Sequence, residues 1–170
     1  MQNFFYIILI FSFVSCAPLP HGEESQQLPE GSGQLILDIS GLRNSDGEIF
    51  LSLYSGKNGF PNDPDVAVVN RHQDIVDQKC LIEIDNLPYG EYAVSLLHDE
   101  NRDGKMDSSM LGIPKEGFGF SGNPKTKMGP PDYDDVRFLL LVPEKRLEIV
   151  VQYETVGRER QRIMQERKAR

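Results

Sequence analysis

The densest chemistry in the chain is one short run, Asp99-Glu100-Asn101-Arg102-Asp103-Gly104-Lys105-Met106-Asp107. Acidic or amide side chains fall at its positions 1, 3, 5 and 9, with Gly at 6. That is the front half of an EF-hand-type calcium loop. Alternate side chains of a tight turn point inward, Gly permits the bend, and the Lys105 carbonyl supplies position 7. The expected metal set is therefore Asp99, Asn101, Asp103, Lys105 and Asp107. Position 12, where a bidentate carboxylate belongs, is Met110. Glu116, Asp132, Asp134 or Asp135 would have to fold back to complete the shell. The same residues also make an Asp/Asn/Gly turn that needs no metal, so both readings stand at this point.

A second run follows, Gly112-Ile113-Pro114-Lys115-Glu116-Gly117-Phe118-Gly119-Phe120-Ser121-Gly122. Gly117, Gly119 and Gly122 spell G-x-G-x-x-G, but no strand-turn-helix unit surrounds them, so a dinucleotide site is excluded. Ser121 misses the G-x-S-x-G nucleophile elbow, because Asn123 replaces the second Gly. Two readings remain. Phe118 and Phe120 anchor a packed loop, or Lys115, Glu116, Phe118 and Phe120 rim a ligand cleft beside the acidic turn. His98 precedes the acidic run and either orients it or simply ends a strand. There is no H-E-x-x-H and no cysteine pair spaced for zinc.

These residues need a frame. The chain has 170 residues, 39% hydrophobic and 26% charged, which is one domain with tails. A net charge of −8 argues against a broad nucleic-acid surface. Leu35, Leu37 and Ile39 alternate with polar residues, as do Ile49, Leu51 and Leu53. That period of two predicts strands over 34–40 and 48–55, joined as a hairpin through Asn44-Ser45-Asp46-Gly47. Further strands are expected over 79–84, 91–97, 136–142 and 146–153, with 66–70 and 72–76 ambiguous. Three successive leucines, Leu139 to Leu141, suggest a central strand covered on both faces. Leu87-Pro88-Tyr89-Gly90-Glu91-Tyr92 is similar to a tyrosine corner, in which a strand-start Tyr bonds back to nearby backbone. The fold class is all-β: a single antiparallel β-sandwich of about seven strands over residues 34–153. Residues 98–135 would form a long loop, and such loops are often functional.

The ends carry an address. Residues 4–14 are apolar save Ser12, too short to span a bilayer but the right length for a secretory signal. Phe13-Val14-Ser15-Cys16 resembles a bacterial lipobox, which makes Cys16 the lipidated first residue of the mature chain. Ordinary cleavage nearby is the alternative, weakened by Pro18 and Pro20. Residues 1–15 are thus read as signal and 16–33 as a disordered tether. Cys80 is left alone in a strand-like run, where a lone Cys behaves as a small apolar residue. Residues 154–170 hold six Arg or Lys against three Glu, a local +3 that leaves −11 elsewhere against the chain's −8. This basic tail is either solvated or touches anionic lipid or cell-wall polymer.

Several pieces together resemble a family. They are Ser40-Gly41-Leu42-Arg43-Asn44, Gly59-Phe60-Pro61, the tyrosine-corner run, His98-Asp99-Glu100-Asn101, the run from Gly112 to Ser121, and Gly129-Pro130-Pro131. In this order they are similar to a bacterial family of exported proteins, the domain of unknown function DUF2141. The resemblance implies a small sandwich similar to transthyretin-like or immunoglobulin-like domains. It implies no catalytic residues. The functional expectation is an exported, lipid-anchored module at the bacterial envelope, in the outer membrane or periplasm. It would act by binding or assembly on an envelope protein or polysaccharide, with calcium as its one candidate cofactor. The alternatives are an envelope glycan hydrolase using loop carboxylates and a purely structural lipoprotein.

Overall fold

The computed structural model describes residues 29–110, 112–125 and 129–153. The expected signal over 1–15, Cys16 as the expected lipidation residue, most of the expected tether and the basic tail over 154–170 lie outside these residues. Eight strands appear in order: β1 (Ser32–Ser40), β2 (Glu48–Tyr54), β3 (Val69–Asp74), β4 (Cys80–Pro88), β5 (Gly90–Asp99), β6 (Gly117–Phe120), β7 (Phe138–Leu140) and β8 (Glu144–Val150). The only α-helix among the described residues is α1 (Tyr133–Val136). One sheet has the order β4-β1-β8; the other runs β3-β2-β5-β6, with β7 paired to β5. All pairs are antiparallel except β1 with β8, which is parallel.

The core lies between the sheets. Leu35, Leu37 and Ile39 of β1 meet Ile49, Leu51 and Leu53 of β2, all buried, together with Val94, Leu96, Leu140 and Ile149. This arrangement overturns the expected β1–β2 hairpin. The two strands belong to opposite sheets, and residues 41–47 cross from one to the other. Alternation looks the same whether a strand's apolar partner lies beside it or across the core. The connection is also longer than the two-residue turns that make tight hairpins. Gly47 does take a positive φ, +70°, and a Cβ there would collide with the Asp99 carbonyl.

The leucine run is also corrected. β7 is a three-residue strip at the start of β5, with Leu140 buried and Leu139 47% exposed. It is not a central strand, and Val136 belongs to α1 rather than to a strand. The tyrosine corner holds: the Tyr92 hydroxyl donates to the Pro88 carbonyl at 2.8 Å. Cys80 is buried in the core, as expected of a lone apolar-like Cys, and burial pushes its thiol up to about 11.

Residues 98–135 are not one loop. They contain an acidic turn, a small hairpin arm, β6 and the start of α1. Gly117 and Gly119 have a structural reason to be glycine. They point from β6 towards β8, where a Cβ would fall 2.5 Å from Val151 and 2.8 Å from Ile149. Asn123 closes the open edge of β8: its amide donates to the Glu148 carbonyl and accepts from Val150 N–H, both at 2.8 Å. One side chain thus does the work of a pairing strand.

Candidate functional site

The acidic turn is held by its own backbone. Asp99 ends β5 fully buried, and its carboxylate accepts from the N–H groups of Asp103 (3.2 Å) and Gly104 (2.7 Å). Asn101 accepts from Asp103 N–H at 3.1 Å, and Asp103 accepts from Lys105 N–H at 2.9 Å. Asn101 and Asp103 thus bond two residues ahead, the Asx-turn behaviour of Asp and Asn, while Asp99 reaches four and five residues ahead. Asn101, Asp103, Lys105 and Asp107 are exposed.

Beyond the turn, residues 107–115 fold into an arm. Lys115 N–H donates to the Asp107 carbonyl at 2.8 Å, Ser109 N–H donates to Ile113, and Ser108 bridges Pro114. Met110, at the tip, is fully exposed. Glu116 fastens the base of the arm. It is 3% exposed, and its two oxygens accept from Glu100 N–H and Asp107 N–H, each at 2.9 Å. Its carboxylate therefore faces inward and does not rim a cleft. Lys115 is exposed away from the groove described below, while its carbonyl accepts from Arg43 at 3.1 Å.

A calcium shell can be weighed against these placements. Among the described residues, no three Asp, Glu, His or Cys side chains gather into a metal-holding group. Both Glu116 oxygens are engaged by amides, and position 12 is the exposed Met110. The donor set as placed is short of the six to eight oxygens that calcium takes.

At the same end of the sandwich a polar knot joins four segments. His98, fully buried, has Nε2 2.9 Å from the Asp46 carbonyl and Nδ1 2.6 Å from the Tyr153 hydroxyl. A carbonyl only accepts, so Nε2 carries a proton; in the neutral ring Nδ1 then accepts from Tyr153. The Tyr153 oxygen in turn accepts from Arg43 N–H at 3.1 Å. The Arg43 guanidinium sits 4.7 Å from the Tyr153 ring centroid and grips Glu100 with two bonds, 2.6 and 2.5 Å. Asn44 adds a third bond to Glu100 at 3.0 Å. The Arg43 bond holds the Glu100 carboxyl below its ordinary range. His98 therefore positions the 44–47 turn and the end of the chain's last described segment.

The remaining feature is a groove. The outer face of the second sheet carries two cross-strand rows, Phe50–Leu97–Phe118 and Ser52–Ser95–Phe120. Below them Phe60, Tyr54 and Tyr133 close the sheet in edge-on contacts with ring centroids 5.3 to 5.7 Å apart. Above them the face stays open, walled by Met106 of the acidic turn, Pro114 of the arm, Pro61 and Pro130. The volume of this open groove is about 670 Å³. Of the cleft residues expected from sequence, the fold brings Phe118 and Phe120 into the floor and leaves Lys115 and Glu116 out of it; Lys105, expected as a metal ligand, lines the groove instead. Phe50 and Leu97 were missed. Their signal was visible in the apolar doublets Ile49-Phe50 and Leu96-Leu97, which break the alternation and so place an apolar side chain on the outer face.

The protein is thus a two-sheet β-sandwich with an apolar groove on one outer face and a hydrogen-bonded arm as its wall. Residues 37–148 match the family described as an uncharacterised protein conserved in bacteria, DUF2141, and the chain belongs to it. No curated protein and no solved structure matches the chain.

Proposed function

We propose that the protein is an exported bacterial envelope module, anchored through lipid on Cys16, that works by binding rather than catalysis. The observation that supports this reading is the groove: about 670 Å³ over an apolar floor, within the size range of ligand sites. A segment of an envelope protein or polysaccharide is the proposed partner. The acidic turn and Glu116 serve to hold the arm that walls the groove. The glycan-hydrolase alternative needs two carboxyl groups facing one scissile bond. Asp99 and Glu116 instead spend their oxygens on backbone amides.

The test uses purified sacculi and vesicles of envelope lipid as separate probes in co-sedimentation. Binding to one of them should be lost in Phe118→Asp without a change in melting temperature. Binding that survives Phe118→Asp would sink the groove as the binding surface. Radiolabelled palmitate should enter the wild-type chain and not Cys16→Ala. Calcium at Asp99, Asn101, Asp103, Lys105 and Asp107 is a second proposal, favoured by their alternate spacing around Gly104. A melting shift that calcium raises, chelator reverses and Asp103→Ala abolishes would establish it. No shift at about 10 mM calcium, tenfold above the roughly 10⁻³ M upper end for extracellular modules, would leave the turn metal-free, since tenfold excess should add about 1.4 kcal/mol.

A further inference from the structure

Among the described residues, the lining of the groove holds no carboxylate, and Lys105 is its single charged residue. The chain as a whole has 26 Asp and Glu against 18 Lys and Arg, so the groove departs from the general charge. Asp63 and Asp103, which adjoin lining residues in sequence, accept from the N–H groups of Asp65 and Lys105 at 3.1 and 2.9 Å. The Lys105 side chain is exposed, and its ammonium has no hydrogen bond or ion pair among the described residues. An anionic group on a ligand finds there one cation with no partner to displace.

The floor offers little else to a polar ligand. It lies on the face of the second sheet, where β2 is paired on both sides by β3 and β5, and β5 by β2 and β6. A peptide strand has no backbone edge to join there. The Ser52 hydroxyl donates to Asn70 at 2.7 Å, and the Tyr54 hydroxyl donates to the Pro61 carbonyl at 3.1 Å. Asn62 and Ser95 are the remaining neutral polar side chains of the lining. Phe50 stacks on His72 with ring centroids 4.4 Å apart, so one of its faces is closed to a sugar ring. Sugar hydroxyls or peptide amides pressed onto Phe50, Leu97 and Phe118 would give up water and find few partners in return. An acyl chain leaves nothing unpaired on such a floor, and Met106 in the wall is a side chain that adapts to irregular apolar shapes.

We propose that the groove takes an acyl chain that ends in an anionic headgroup, with the chain on Phe50, Leu97 and Phe118 and the headgroup at Lys105. The proposal rests on the reading of the groove as a binding site. It fixes what an envelope partner must present there: an anionic lipid end, rather than sugar hydroxyls or peptide amides.

The experiment uses the full mature chain with Cys16→Ser, which carries no lipid of its own, and Nile red, an uncharged dye, as the reporter. Dodecanoate, 1-dodecanol and dodecyltrimethylammonium compete with the dye at pH 8, each below its micelle concentration. The three share a chain and differ in head charge. Dodecanoate should bind about two- to fivefold more tightly than the alcohol, the size of an exposed ion pair, and the ammonium should bind most weakly. Salt should shrink that preference, and Lys105→Gln should bring the ratio of dodecanoate to dodecanol affinity to one. Decanoate should bind up to about fifteenfold more weakly than dodecanoate, from about fourfold for each buried methylene. Phe50→Ala and Phe118→Ala, each with its circular dichroism unchanged, should weaken the dye and all three competitors. Equal competition by the three head charges, or a preference that survives Lys105→Gln, overturns the proposal; the groove reading stands if the two Phe variants still weaken the dye. Displacement by soluble peptidoglycan fragments and by none of the amphiphiles likewise overturns the proposal and keeps the groove. Dye binding that neither Phe variant alters overturns both.

Discussion

Replacing Glu116 by Gln should destabilise the protein by about 2–4 kcal/mol, and the structure sets that range. The carboxylate is 3% exposed and accepts one N–H on each oxygen, from Glu100 and Asp107, at 2.9 Å. A bond to a charged acceptor contributes about 1.5–3 kcal/mol, and a buried N–H left without a partner costs about 1–3 kcal/mol. Gln keeps one oxygen for one amide. Its NH₂ must face the other N–H, so one bond is lost, one is weakened and a donor meets a donor. The low end of the range applies if the exposed arm lifts and lets water reach Asp107 N–H. For a folded body of this size, about 3–5 °C of melting temperature follows each kcal/mol, so the expected shift is about 10 °C. Thermal melting gives the size of the effect, and amide exchange at Glu100 and Asp107 gives its place. A shift below about 2 °C with both amides still protected would refute the claim that Glu116 clamps the arm. A catalytic Glu116 predicts the opposite signature: unchanged stability with lost turnover on glycan.

Three further outcomes follow from the same geometry. Tyr92→Phe removes the bond to the Pro88 carbonyl and should cost about 1 kcal/mol in chemical denaturation, with no change in the slope against denaturant. Cys80 should react with an aromatic disulfide reagent at pH 8 only as fast as the protein unfolds, because its thiol is buried and raised to about 11; a fast phase in the native Cys16→Ser chain would contradict this. The Glu100 carboxyl is lowered from 4.5, so the Arg43–Glu100 bond contributes fully above that value, and its stability is lost as pH falls from there through the lowered value; wild type and Glu100→Gln should converge in melting temperature on acidification.

The strands were legible where one face met the core. Leu35-Leu37-Ile39 and Ile49-Leu51-Leu53 alternate cleanly, and both form strands close to the expected bounds. Their partners were not legible, because alternation reports which side of a strand is dry and says nothing about whether the apolar neighbour is in the same sheet. The β1–β8 pairing joins residues more than a hundred positions apart and leaves no local trace. β6 was hidden for a different reason. Gly117-Phe118-Gly119-Phe120 has low strand propensity, yet the glycines are what let β8 approach, so packing outweighs propensity there. β3 escaped because almost every side chain is exposed and no alternation develops along it.

The site was half legible, and the division follows from what spacing can encode. The D-x-N-x-D-G run correctly marks a turn in which Asp and Asn bond forward to backbone, because that geometry is local. Whether a carboxylate looks outward or inward is not local. Glu116 sits between Lys115 and Gly117 in a segment that reads as a cleft rim, yet the strand that begins beside it turns Glu116 under the arm, where two unpaired N–H groups need an acceptor. Phe118 and Phe120 were read either as anchors of a packed loop or as the rim of a cleft; the floor they join comes from β2 and β5, whose outer faces meet β6 only in the assembled sheet, so no local spacing could show it.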